Sequence, residues 1–168
     1  MAKDIFLFIR DPGKYAKVLV ESGEKIIRAV KVGLVIVRPA RSGEMIDVWT
    51  KDGNLEATEA ARNGDLILTR ADRNGIPVRD KFGHTNSWIS SKKDFAENYD
   101  VKRPNRNGTY NPIPKMRKFV QVDEDIAFRI KRGNIQRIRK GGYLNITEQN
   151  NIYGIAADEF AETYRALS

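Results

Sequence analysis

Two stretches of this chain pass through the same motifs in the same order, and that internal repeat constrains the fold more than any other feature. Gly53-Asn54-Leu55, Gly64-Asp65-Leu66-Ile67-Leu68-Thr69, Trp88 and Phe95-Ala96-Glu97-Asn98-Tyr99 occupy the middle of the sequence. Gly133-Asn134-Ile135, Gly142-Tyr143-Leu144-Asn145-Ile146-Thr147, Tyr153 and Phe160-Ala161-Glu162-Thr163-Tyr164 occupy its end. The last block of each set shares four of five residues, and alternating apolar positions precede both sets: Ile46 and Val48, then Ile126, Phe128 and Ile130.

Each stretch has a mechanical reading. Alternation makes a half-buried strand, Gly-Asn makes a turn that tolerates positive φ, and a second glycine turn launches the next strand, over 66–69 or 144–147. A short helix closes each unit. Ser91 with Asp94 three residues on is a capping box, and Phe95 with Tyr99 gives that helix an apolar face. In the second unit a helix over 157–167 presents Phe160, Tyr164 and Leu167 on one side, with Asp158 and Glu159 complementing the dipole of its first turn. The expected fold is α+β and mainly β: two related small, curled, barrel-like sheets, each closed by a C-terminal helix. Additional strands are expected over 5–9, 18–20, 26–30 and 34–37. The domain division is 1–102, carrying an inserted loop over 70–87, then a linker rich in Asn, Pro and Gly over 103–114, then 115–168.

The order Gly-Asp, an apolar strand, a turn and Phe-x-x-x-Tyr on a terminal helix resembles a module in short uncharacterised proteins of phages and prophages. The likeness covers roughly 45–100 and 116–168, and the second unit departs from it by placing Gly142-Tyr143 where Gly-Asp would stand. The resemblance implies a phage-type source and a fold type, and assigns no catalytic residue.

Charge is distributed unevenly. Lys and Arg number 30 against 22 Asp and Glu, a net +8. Residues 101–140 hold 12 basic and three acidic side chains, whereas the stretches before and after are nearly balanced and acidic respectively. Such a block favours a polyanion, through counterion release and long-range attraction, or an acidic protein surface. It equally suits a solvated face that keeps the protein soluble. The candidate binding residues are Lys115, Arg117, Lys118, Arg129, Lys131, Arg132, Arg137, Arg139 and Lys140. If Ile126, Phe128 and Ile130 face the core, Arg129 and Lys131 point outward, and Arg137 and Arg139 share a face of the next strand. Aromatics able to stack on bases are sparse in this block: Tyr110, Phe119 and Tyr143.

The two units differ most between Thr69 and Trp88, where the first carries 13 residues more than the second between Thr147 and Tyr153. That insertion holds Arg73, Arg79, Asp80 and the sole histidine, His84. Polar loops on a scaffold often carry function. His84 oriented by Asp80, near the hydroxyl of Thr85 or Ser87, would suit acid–base chemistry. A hairpin turning at Asn74-Gly75 and Phe82-Gly83 and projecting into solvent suits the same residues.

The chain has no cysteine and one histidine, which excludes disulfides, thiolate zinc, iron–sulfur clusters, a cysteine nucleophile and polyhistidine metal sites. Phosphate-cradling, dinucleotide-binding, nucleophile-elbow and EF-hand motifs do not occur, and Asp123-Glu124-Asp125 reads as a solvated turn. The apolar run 5–9 is too short for a signal-peptide core or a membrane span. The expectation is a cytoplasmic, non-catalytic protein with no cofactor and no membrane association. Its basic face would bind nucleic-acid phosphates; the alternatives are an inhibitor or adaptor docking on an acidic protein, and an enzyme using the His84 loop.

Overall fold

The computed structural model describes residues 5–49 and 55–167; the Gly53-Asn54 turn lies outside them. The fold is α+β and rich in strand. In chain order the elements are β1 (Leu7–Ile9), α1 (Pro12–Glu21), β2 (Ile27–Lys31), β3 (Leu34–Pro39), β4 (Met45–Trp49), β5 (Leu55–Ala60), β6 (Leu66–Ala71), β7 (Ser87–Ser90) and α2 (Lys92–Asn98). They continue with β8 (Arg117–Gln121), β9 (Ile126–Arg129), β10 (Ile135–Ile138), β11 (Tyr143–Asn145), β12 (Tyr153–Ile155), α3 (Ala157–Thr163) and β13 (Tyr164–Ala166).

Residues 18–20, expected as a strand, lie in α1. Asp11 accepts the Lys14 amide at 3.0 Å and Pro12 opens the first turn, so the chain is helical before the β-branched valines are reached. Ala16 and Leu19, three apart, then bury one stripe against Val120, Val122 and Phe128. At the other end α3 stops at Thr163, four residues short of the expected limit. Tyr164 leaves the helix as extended chain because its backbone pairs with Lys31 of β2. Sheet pairing there outweighs the local preference of Arg-Ala-Leu for helix.

Four sheets result: β1-β9-β10, β12-β11-β8-β2-β13, β3-β6-β7 and the hairpin β4-β5. None of them closes on itself among the described residues, so the expected barrel-like closure does not form. All pairings are antiparallel except β1 with β9, which runs parallel with Phe8 opposite Ala127.

One order of pairing occurs twice. β3 pairs with β6 and β6 with β7, ahead of α2; β8 pairs with β11 and β11 with β12, ahead of α3. The hairpins β4-β5 and β9-β10 occupy the same places between those strands. The glycine turns match at Gly64 (φ +85°) and Gly141 (φ +92°), where Asp65 donates to the Arg62 carbonyl and Gly142 to that of Arg139. This register lies one residue from the sequence match of Gly64 with Gly142, and places the Asp65 and Gly142 amides in one role. After the helices, Phe95 stacks with Tyr99 (5.5 Å) and Phe160 with Tyr164 (5.4 Å).

Strand pairing does not respect the expected boundary at 103–114. β2 lies between β8 and β13, joining the second half, and β1 and α1 also pack there. Reciprocally, Tyr110 bridges Val35 of β3 and Pro112 bridges Tyr99, so the expected linker completes the first half. Thr109, 1% exposed, anchors it. The largest core cluster gathers Val120, Val122, Ile126, Phe128, Ile138 and Leu144 with α1; a second gathers Phe119, Phe160 and Tyr164. Rings at 4.9–5.0 Å and near-perpendicular angles bring Phe119 against both partners. Phe119 is thus core and unavailable for stacking.

Candidate nucleic-acid interface

The outer face of sheet β1-β9-β10 is built by two-residue alternation on three strands. Ile126 and Phe128 point into the core and are fully buried, with Gln136 and Ile138 beside them on β10. The opposite face therefore carries Ala127 and Arg129 of β9 and Ile135 and Arg137 of β10. Because β1 adds in parallel with Phe8 opposite Ala127, Phe8 joins that face. One row runs Phe8, Ala127, Arg137. A second lies two residues along: Phe6, Asp125 and Arg139, where Arg139 binds Asp125 at 3.1 Å and its guanidinium sits 4.7 Å from the Phe6 ring centroid. Arg10, exposed, follows two residues after Phe8.

Phe8 is 49% exposed, and Arg137 is exposed with no ion pair among the described residues. Ala127 is buried beneath them. The face thus combines cations with an accessible aromatic ring.

The nine candidate cations do not act together. Arg117 is drawn inward, donating to the Tyr153 hydroxyl at 3.2 Å and to Asn98 Oδ1. Arg132 spans the halves, binding Asp65 at 2.8 Å and the Ala60 carbonyl. Burial opposes the Asp65 charge, but Arg132 and the Arg62 amide hold its pKa below the ordinary carboxylate value. Arg139 is occupied by Asp125, Lys115 reaches the Glu97 carbonyl, and Arg129 is folded back to the Gly133 carbonyl. Lys131, Arg137 and Lys140 remain exposed, with Lys118 half-buried. The expected surface of alternating cations is therefore reduced to a smaller group, since several of these side chains hold the fold together. Phe6 and Phe8 belong to the face although they lie more than a hundred residues away in sequence, and Arg10 is exposed in the bend that follows β1. Aliphatic Ile5, Leu7 and Ile9 alternating with Phe6 and Phe8 was the signal that this strand has two faces.

A second site forms around the inserted loop. Asp72 accepts the amides of Asn74 and Ile76; eight residues later Asp80 accepts those of Phe82 and His84, with Gly75 and Gly83 at φ +79° and +85°. Two identical Asx-type turns thus fold the loop back on itself, tied by the Arg79–Thr85 bridge. Asp80 also holds His84 Nδ1 at 3.0 Å, and Nε2 is the ring nitrogen with no hydrogen-bond partner among the described residues. Enclosure opposes the Asp80 charge, but the His84 and Phe82 amides and the imidazole lower its pKa. The His84 ring stacks on Trp49 at 4.0 Å and 10°. An open cleft of about 500 Å³ results, lined by Trp49, Arg79 and His84, with Arg38, Glu44 and Asp47 at its sides. The hydroxyls of Thr85, Ser87 and Thr69 form a chain along it, at 3.0 and 2.7 Å. Arg79, Asp80 and His84 are brought together here; Arg73 lies on the preceding turn, where Asn107 donates to its carbonyl.

The acidic run 123–125 is also structural: Glu124 and Asp123 accept the Tyr15 hydroxyl, and Asp125 receives Arg139 and the Lys140 amide. Glu159 is buried and binds Arg70 at 3.4 Å and Asn86 at 2.6 Å, so it does more than complement a helix dipole. No helix among the described residues is long and apolar enough to cross a membrane. No protein family, curated protein or solved structure matches this chain.

Proposed function

We propose that the protein is a non-catalytic nucleic-acid-binding protein, of the phage type its motifs resemble, built from two copies of one module. The observation that carries the binding reading is the row Phe8–Ala127–Arg137, with Arg10, Lys131 and Lys140 as further exposed cations in or near the sheet. Exposed guanidinium and ammonium groups on one face grip phosphates without reading bases. The repeated pairing order and the matching glycine turns support the duplication. An acidic protein surface would engage the same cations, and would show as a stoichiometric protein partner in place of salt-steep binding to DNA or RNA.

The test is fluorescence anisotropy with DNA and RNA across a salt series. Binding should weaken steeply with salt, with a logarithmic slope of about −0.7 to −0.9 per phosphate contacted. Arg10→Glu combined with Arg137→Glu should abolish it, while Arg139→Glu should instead report on stability through Asp125. Absence of binding at low salt would overturn the reading.

A second reading rests on the His84 cleft. An imidazole fixed through Nδ1 by a buried carboxylate, with the other nitrogen free beside a cleft, is the arrangement of a general base. Under that reading His84→Ala abolishes turnover or ligand binding without loss of fold, and His84→Ala that changes neither sinks it.

A further inference from the structure

We infer that the β1-β9-β10 face receives an unpaired base, stacked on Phe8 beside Arg137, and so takes single-stranded rather than duplex nucleic acid. The inference rests on the polyanion-binding reading above and adds the substrate class.

A phosphate-gripping surface gains nothing from a half-exposed phenylalanine. Apolar ring area left in water is unfavourable, and Phe8 stands 49% exposed on the edge strand β1, on the face opposite the core. Its neighbours across the sheet are informative. Ala127, directly opposite, offers only a methyl group, and Arg137 stands directly opposite Ala127 on the next strand. With adjacent strands about 4.8 Å apart, Phe8 and Arg137 rise from backbones separated by roughly 9.6 Å, over a low floor. A base sandwiched between a ring and a guanidinium plane needs two stacking distances, about 7 Å, which that spacing admits once the two flexible side chains part. In the adjoining row the Arg139 guanidinium already lies over the Phe6 ring, so the sheet itself shows the ring–guanidinium geometry that a base would extend. A duplex presents its bases edge-on and keeps their faces stacked, and cannot supply a face to Phe8; an unpaired strand can.

The experiment compares three probes of equal length by anisotropy: a poly-dT strand, an abasic strand with the same phosphates, and a mixed-sequence duplex. Wild type should prefer poly-dT. Phe8→Ala should lower poly-dT affinity by about tenfold, the contribution of one stacked base, and leave the abasic strand and duplex unchanged. Phe8→Tyr should retain wild-type affinity, and Phe8→Trp should show indole fluorescence quenched by poly-dT and not by the abasic strand. The inference is overturned if Phe8→Ala binds poly-dT as wild type does, or if it loses all three probes equally. In both cases Arg10→Glu with Arg137→Glu still abolishing binding would leave the polyanion reading standing alone. Wild type binding none of the probes at low salt would remove both.

Discussion

The two halves solve one joint with opposite distributions of bulk. In the second half Ile138 of β10 drives against Gly154 of β12, where a Cβ would meet its side chain at 2.3 Å. In the first half the corresponding places hold Ala61, just after β5, and Ile89 of β7, which pack together with Ile67. Large against none in one half becomes small against large in the other. A buried side chain also ties the joint in each. Gln136 clamps Gly154 from both sides, accepting its amide at 2.7 Å and donating to its carbonyl at 2.9 Å, whereas Glu59 only accepts the Ile89 amide at 3.0 Å. The amide satisfies two backbone groups where an ionised carboxylate satisfies one. The difference teaches that hairpin-to-sheet docking is the shared requirement, and that side-chain identity at the joint is free provided volume and hydrogen bonding are conserved between partners.

The largest effects should come from unbalancing that joint. Ile138→Ala should cost about 3 kcal/mol by emptying a fully buried site, and Gly154→Ala about 2 kcal/mol by overfilling it. The double variant should cost less than the sum, because each change relieves the other; strict additivity in urea denaturation would break the comparison.

Next in size is Lys31, whose ammonium lies over Trp88 at 4.9 Å and Tyr99 at 5.1 Å where the halves meet. Burial and the nearby Arg117 push its pKa down to about 7, against 10.5 for a free side chain. The unfolded chain therefore binds the extra proton between those values, so stability should rise as pH rises from 7 toward 10 and the penalty should be complete below 7. Lys31→Met should flatten that rise and make the protein more stable than wild type at pH 6. A wild-type stability curve flat from pH 7 to 10 would contradict this.

Glu59 offers a smaller test with the opposite sign. Burial raises its pKa, so its stabilising contribution is present at low pH and falls as pH rises through the unfolded value toward the folded one. Glu59→Gln, which copies the second half, should remove that decline and gain about 1 kcal/mol at neutral pH. The nearby Arg132 and Asp65 charges act on Glu59 with opposite signs, and their own contact at 2.8 Å does not run through it.

Smallest are the matched turns. Gly64→Ala and Gly141→Ala both force a side chain into positive φ and should each cost about 1 kcal/mol. Markedly unequal thermal shifts would show that the turns differ in ways their hydrogen bonds do not.

Much of the local structure was legible in sequence: Ser91 does cap α2 through the Asp94 amide, and the Gly75, Gly83 and Gly133 turns occur where the glycines stand. The Asp80–His84 contact is one of two readings that the inserted loop admits from sequence, and it forms. What could not be read was partnership. Nothing in residues 5–10 states that they lie beside 126–128, so the aromatic half of the candidate face is not legible in the sequence. Nor does the charge of Arg117 or Arg132 reveal that each is spent on internal bonds, because cation count reports composition and not geometry. The valines of α1 misled for a related reason: β-branching favours strand, and a cap with an apolar stripe to bury overrides it.

The position of β2 carries a kinetic consequence. Its hydrogen-bonding neighbours are 117–119 on one side and 164–166 on the other, while the segment that completes the first half arrives only at 110–112. A nascent chain extended to residue 100 would hold the β3-β6-β7 sheet without the Tyr110 bridge to β3, and β2 with neither neighbour. Loop-closure entropy must be met before those distant pairings form, so folding is expected to be slow and late, completed after nearly all of the chain has left the ribosome. Severing the chain near residue 105 would leave β2 on one fragment and its neighbours β8 and β13 on the other, and the two would regain structure only on being mixed.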